Sequence, residues 1–261
     1  MPIGTTQYRC ARLASRFVNL VRELQERAAR ALPAAVVVDA SGWLLRHAPG
    51  CSWWVSSVLP HADGSLPDRV AAAEAFYSSH GTVARFQITP GVCPPGLDGL
   101  LAARGYRLES PVSLQVSSSA LLPLLPSGPL PVVVDDAVAP AWFDAWSAIH
   151  GGDPVAERAL LSRVTSPSAY ASVVVDSRVV AVGRAVLDTG WAGVFGMATL
   201  PSARGRGAAR SVLTALTAWA SGLGAENHYL QVERDNTAAL GLYASAGFTE
   251  VAAYHYRTAP R

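Results

Sequence analysis

The chain has 261 residues, half of them hydrophobic, and sets 21 basic against 19 acidic side chains for a net charge of +2. That length suits one large or two small domains, and so small a charge excludes the electrostatic footprint of a nucleic-acid binder. Every basic residue is arginine, which excludes a Walker-type nucleotide loop, because that loop ends on a Lys followed by Ser or Thr.

Residues 8–32 space Leu13, Phe17, Leu20, Val21 and Leu24 as one apolar helical face, a segment expected to dock on the body of the protein rather than on a membrane. Ser57-Val-Leu-Pro60 then ends a strand, and Pro67–Ser79 is a helix with Val70, Ala73, Phe76 and Tyr77 inward. Ala84-Arg-Phe-Gln-Ile88 alternates as a strand, and Leu97–Arg104 is a helix stopped by Gly105-Tyr106. Four prolines in residues 119–131 interrupt regular structure, so the stretch reads as a linker.

Helices follow at Ala141–Ile149 and about 154–164, and an apolar strand runs over residues 191–200 into Arg204-Gly-Arg-Gly-Ala-Ala209. Glycines there remove side chains where a ligand must touch backbone, and successive N–H groups at a helix N-terminus make an anion site, with Arg204 and Arg206 adding charge. The helix carries Val212, Leu213, Leu216, Trp219 and Ala220 at helical spacing and stops at Gly222 and Gly224. His228–Glu233 is a strand, Asp235-Asn236 a cap, Thr237–Ala246 a helix and Gly247-Phe248 its end. A Rossmann site is a poor match, since its third glycine and acidic ribose partner have no counterpart.

This order, with Arg204-Gly205-Arg206-Gly207-Ala208-Ala209 and then Asn236, Ala239, Leu242, Tyr243, Gly247 and Phe248, resembles the GNAT superfamily of acyl-CoA-dependent N-acetyltransferases. The resemblance is tight over about residues 190–250 and looser back to about 131. The two halves also repeat: 45 residues separate Pro60 from Gly105, and 46 separate Pro201 from Gly247. The expectation is a mixed α/β fold of two GNAT-like domains, each a mostly antiparallel sheet flanked by helices, with a splayed parallel strand pair in the second. Residues 1–33 form an N-terminal helical segment, 34–118 a degenerate copy, 119–130 the Pro-rich linker and 131–261 the catalytic domain. In the first copy Asp63, Leu66 and Pro67 stand where a pyrophosphate would need neutral, donating backbone, and Leu101 stands in place of Tyr243.

The resemblance implies acetyl-CoA as co-substrate, no metal, and an amine acceptor, small molecule or protein. Backbone near Met197 and Thr199 is expected to pair with the pantetheine arm, while Arg204, Gly205, Arg206, Gly207, Ala208 and Ala209 hold the pyrophosphate. Tyr243 is either the proton donor to the departing thiolate or an inward-facing helix residue, and Asn236 either touches the coenzyme arm or caps its helix. The strand before the turn lacks an ionisable side chain, which leaves Glu233, His150 or a water chain as the base. That gap also keeps open a second reading, a non-catalytic acyl-CoA-binding or protein-interaction module. Trp142, Trp146, Trp191 and Tyr254 either line an acceptor cleft or fill the core.

Cys10, Cys51 and Cys93 are odd in number and lack metal-ligand spacing, so they read as buried or free thiols in a reducing compartment. With no apolar run of membrane-spanning length and no signal-peptide core, the expectation is a cytoplasmic monomer or homodimer without nucleic-acid or membrane partners.

Overall fold

The computed structural model describes residues 4–124 and 127–260, with side chains described from residue 15 except over 122–126. Helix α1 (Gly4–Ala31) is followed by β1 (Val36–Asp39), β2 (Trp43–His47), β3 (Val58–Pro60), α2 (Leu66–Ser79), β4 (Arg85–Ile88), α3 (Leu97–Ala103) and β5 (Arg107–Ser118). The second half runs β6 (Val132–Asp135), α4 (Pro140–His150), α5 (Pro154–Ser162), β7 (Ser168–Val175), β8 (Arg178–Asp188), β9 (Trp191–Thr199), α6 (Ala208–Gly222), β10 (Asn227–Glu233), α7 (Thr237–Ser245) and β11 (Thr249–Thr258). The helices end where local chemistry stops them. Asp153 caps α5 by accepting from Val155 N (2.9 Å), Pro154 opens its first turn, and Gly247 turns the chain out of α7 at φ +75°.

The eleven strands among the described residues form one sheet in the order β1-β2-β3-β4-β11-β5-β10-β9-β8-β7-β6. The last strand of each half has crossed to the other: β5 pairs antiparallel with β10, and β11 pairs antiparallel with β4. The two exchanged strands also pair with each other along most of their length. Outward from that central pair the pattern mirrors itself, since β3–β4 and β9–β10 are the sheet's two parallel pairs and the other pairings are antiparallel. The expected mixed α/β architecture with a splayed parallel pair is therefore present.

Alternation along the strands builds two apolar faces. On one, α6 and α7 cover Ala169, Ala181, Ala185, Val194 and Leu230. On the other, α4 packs Trp142, Phe143 and Trp146 against Tyr170, Val182 and Ala198, and α1 buries Val21 and Leu24 against Val112, Leu114, Tyr229 and Tyr254. So α1 docks as its apolar face requires, although Phe17 remains 43% exposed. Leu13 lies outside the described side chains.

Candidate active site

Backbone pairing between β9 and β10 stops at Val194–Leu230, although the strands continue to Thr199 and Glu233. Two parallel strands that part in this way leave unpaired backbone on both sides of a wedge. A β-bulge sits at the point of parting: Val182 faces Ala198 and Arg184 faces Phe195, so Gly196 and Met197 together oppose Gly183. Gly196 has φ +60°, a conformation that favours glycine, and a Cβ there would crowd Trp146 Nε1 at 3.0 Å.

A cavity of about 940 Å³ passes through the sheet at this gap. On the α6–α7 side its walls include Ala208, Asn236 and Tyr243; on the α1–α4 side they include Arg184, Phe195, Glu233 and Tyr254. Met197, Thr199, Arg204, Gly205, Gly207, Ala209 and His150 also line it. Arg206 is exposed and not part of this wall.

The turn positions α6 with its N-terminus toward the cavity. Gly207 caps the helix at φ +79°, and Gly205 has φ +75° with open space where a Cβ would be. Gly207 serves a different purpose from the one its motif position suggests. A Cβ there would lie 2.7 Å from Pro129 Cγ and Cδ, so the glycine admits the chain crossing behind the turn rather than a ligand in front of it. Leu130 N, in that crossing segment, donates to Ser211 Oγ (3.0 Å). Arg204 is exposed, its Nε 3.4 Å from the Thr199 carbonyl.

Tyr243 is 6% exposed, with its ring edge-on to Phe248, and burial pushes its hydroxyl up to about 12. Among the described residues no group hydrogen-bonds that hydroxyl. Asn236 caps α7 by accepting from Ala239 N (3.1 Å). Glu233 is exposed at the end of β10 and lies close enough to Tyr254 and Tyr256 to push both phenols up further, beyond the larger effect of their burial. His150 stacks on Trp146 (ring centroids 5.1 Å apart), and its exposed surface faces the cavity. Desolvation lowers its pKa below 6.5, partly offset by the nearby Met197 backbone. Trp142, Trp146 and Tyr254 are at once core and cavity wall, being 1%, 9% and 4% exposed. Trp191 packs toward α1.

Besides the bulge, three features of the site are absent from the sequence reading. Trp53, Trp54 and Val55 of the first half close the cavity on its α5 side. Glu157 of α5, 4% exposed, takes the Ser52 backbone N–H and hydroxyl on Oε1. Arg184 enters from β8, next to the strand that lacks ionisable residues. The bulge alone had a local signal, an isolated glycine inside a strand pattern.

The first half keeps the layout without the site. There β3 and β4 pair at Val58–Phe86 alone, Leu101 is fully buried in the local core, and Leu66 packs against that core. Arg69 there reaches back to the Ser41 carbonyl (2.8 Å).

A parallel pair parted over a glycine turn that opens a helix is the architecture of the GNAT fold, and the layout repeated in the first half makes this fold a tandem one. The family described as "Probable histone acetyltransferase Rv0428c C-terminal" matches residues 19–257, and the chain belongs to that family. It is 27% identical over 242 residues to "Uncharacterized N-acetyltransferase YobR" of Bacillus subtilis, covering 91% of this chain and 98% of that protein. A GCN5-related N-acetyltransferase from Kribbella flavida has the same fold at TM-score 0.67 and 18% identity, covering 96% of this chain and 95% of the other. A tandem GNAT protein from the clavulanic acid biosynthesis pathway superposes at TM-score 0.62 and 13% identity, over 93% and 87% of the two chains. The protein is an N-acetyltransferase. Among the described residues no helix is long and apolar enough to cross a membrane.

Proposed function

We propose that the protein transfers an acetyl group from acetyl-CoA to an amine, by direct attack of the amine on the thioester, within the gap between β9 and β10. In this reading residues 131–261 carry the chemistry and residues 34–118 are a non-catalytic copy that walls the acceptor side. The parting of the two strands carries the reading: it offers unpaired backbone beside a helix N-terminus, which suits an extended pantetheine arm ending in a pyrophosphate. Backbone around Met197 and Thr199 would hold the arm, and N–H groups of Gly205 to Ala209 the pyrophosphate. Bound there, acetyl-CoA supplies the activated acyl group.

The chain's own residues then manage charge and protons. A C–N bond forms, the C–S bond breaks, and the amine must lose a proton. His150 is suited to take it, because its lowered pKa keeps the ring neutral and the ring lines the cavity. Oxyanion stabilisation falls to a backbone N–H of β9, which the bulge turns out of the ladder. Tyr243 serves the departing sulfur. With its pKa near 12 it holds its proton more tightly than an ordinary thiol, about 8.5, so its contribution is a hydrogen bond as charge develops rather than an early proton transfer.

Ala209→Asp tests the site. Asp in the first turn of α6 favours the helix dipole, so folding is retained, while its charge repels a pyrophosphate. Acetyl-CoA should raise the melting temperature of the wild type and raise that of the variant far less. Equal shifts would refute the assignment, and an absence of CoA release across a panel of amines would refute transfer.

A further inference from the structure

The acceptor side of the cavity holds a cation with no counter-ion. Arg184 is 2% exposed; Nη2 donates to the Ala31 carbonyl (2.8 Å), Tyr170 lies near the guanidinium, and the group lies over the Phe195 ring at 5.3 Å. Nη1 is shut from bulk water and has no partner. The nearest acid along β8, Asp188, is taken by Arg27 (3.1 Å) and Arg30 (2.8 Å), and among the described residues no carboxylate lies within ion-pair distance of Arg184. A buried guanidinium without an anion leaves its desolvation uncompensated. The C-terminal carbonyl of α1 offsets part of that through the helix dipole, but it occupies only Nη2.

We infer that Arg184 holds a carboxylate of the acceptor, so that the substrates are small amino-acid-like molecules: a primary amine at one end, a carboxylate at the other. The inference rests on the proposed transfer to an amine and names its substrate class. One unit of positive charge matches one carboxylate, and the same cavity's Glu157 and Glu233 disfavour any further negative charge. A phosphate dianion would be left half-neutralised, because the cavity's other arginines, Arg204 and Arg210, lie at the α6 turn. The amine end has its own complement, since Glu157 lines the same cavity and its two hydrogen bonds both fall on Oε1. In the same cavity Trp142, Trp146, Phe195 and Tyr254 offer apolar surface to a short carbon skeleton. Because Nη1 is closed off in the structure, contact with it requires a neighbouring side chain to move.

The test compares acceptors matched in amine basicity, 4-(aminomethyl)benzoate with its benzamide and 4-aminobutyrate with its amide, beside a lysine peptide with blocked termini. Full-length protein and acetyl-CoA are used, and CoA release is followed. The acids should exceed their amides by about 10- to 100-fold in kcat/KM, carried by KM. Arg184→Met should level each pair by weakening the acids alone, and Arg184→Lys should restore part of the difference. Should Arg184→Met not fold, or turnover be absent, calorimetry on the wild type with CoA decides, with the acid required to bind at least about ten-fold tighter than the amide. Amines acetylated equally well with and without the carboxylate, or best in the blocked peptide, overturn the inference and leave the transfer reading intact. Acid-selective binding with no acetylation of any amine overturns the transfer reading instead.

Discussion

Glu157 Oε1 accepts the backbone N–H of Ser52 at 2.7 Å and its hydroxyl at 2.9 Å, joining a helix of the second half to a loop of the first across 105 residues. Around the same contact, Cys51 Sγ reaches the Ala156 carbonyl (3.4 Å). The acceptor wall is therefore held in place by a bond between halves. Ser52→Ala removes one hydrogen bond to a buried carboxylate and should destabilise the protein by about 1.5–3 kcal/mol, read from urea unfolding. Acetyl-CoA affinity should be unchanged while the KM for any accepted amine rises. A variant as stable as the wild type would show that the loop is held by other contacts.

Tyr243→Phe keeps the ring against Phe248 and deletes only the hydroxyl. The expected result is a fall in kcat of about 10²- to 10³-fold with little change in acetyl-CoA affinity, the size associated with losing one preorganised donor. Because burial sets this phenol near 12, the wild type should show no loss of rate from its ionisation up to about pH 11. Turnover of the phenylalanine variant at the wild-type rate would make the tyrosine a packing residue.

His150 gives the acid side of the rate profile. Its pKa is lowered, so the neutral, proton-accepting ring persists below the ordinary 6.5, and the acid limb of kcat/KM should lie below that value. His150→Gln should abolish that limb along with most of the rate. An acid limb unmoved by the substitution would assign the base to Glu233 or to water.

His228 makes a separate prediction, about stability. It is fully buried at the start of β10, and desolvation lowers its pKa to about 4. The unfolded chain takes up this proton near 6.5 and the folded one only near 4. Stability from the neutral ring is thus complete above 6.5 and is lost as pH falls through the window between the two. The loss is on the order of 3 kcal/mol. Asp98 and Asp188, whose carboxyls are held below 3.8 chiefly by Arg257 and by arginine contacts against a desolvation cost, act at lower pH. His228→Leu should therefore flatten urea stability between pH 6.5 and 4 but leave the steeper acid loss in place.

The exchanged strands predict the behaviour of fragments. Residues 131–261 alone would leave β10 without β5 and β11 without both of its sheet partners, β4 and β5, exposing three strand edges and the face that packs on Val112 and Leu114. That fragment should aggregate or lose cooperative unfolding, and adding residues 1–130 should recover soluble complex. A soluble, fully active fragment would contradict this.

What the sequence disclosed was whatever is local. The turn at 204–209, the cap at Asn236 and Tyr243 with Gly247 lie on contiguous stretches where helix spacing and glycine conformation leave their mark. Pairing partners leave none, since β5 alternates in the same way whether it lies beside β4 or β10, so the exchange was invisible. Arg184 and Glu157 read as ordinary charges because burial is a property of what folds over them: α1 for one, the Ser52 loop for the other. Gly207 was legible as a glycine that must stay a glycine, but its reason, Pro129 crossing behind it, comes from residues far upstream.

Strand exchange also sets an order of events during synthesis. When β5 has emerged it has neither of its final neighbours, β10 and β11, and β4 has one edge open until residue 258 has been made. The first half therefore waits with pairing-competent edges through the translation of more than half the chain, a period in which a second nascent chain could offer the same strands. Selection on such a protein acts on how fast the second half arrives as well as on how well it fits, and a gene rearrangement that moved either half alone would sever a sheet rather than transplant a domain.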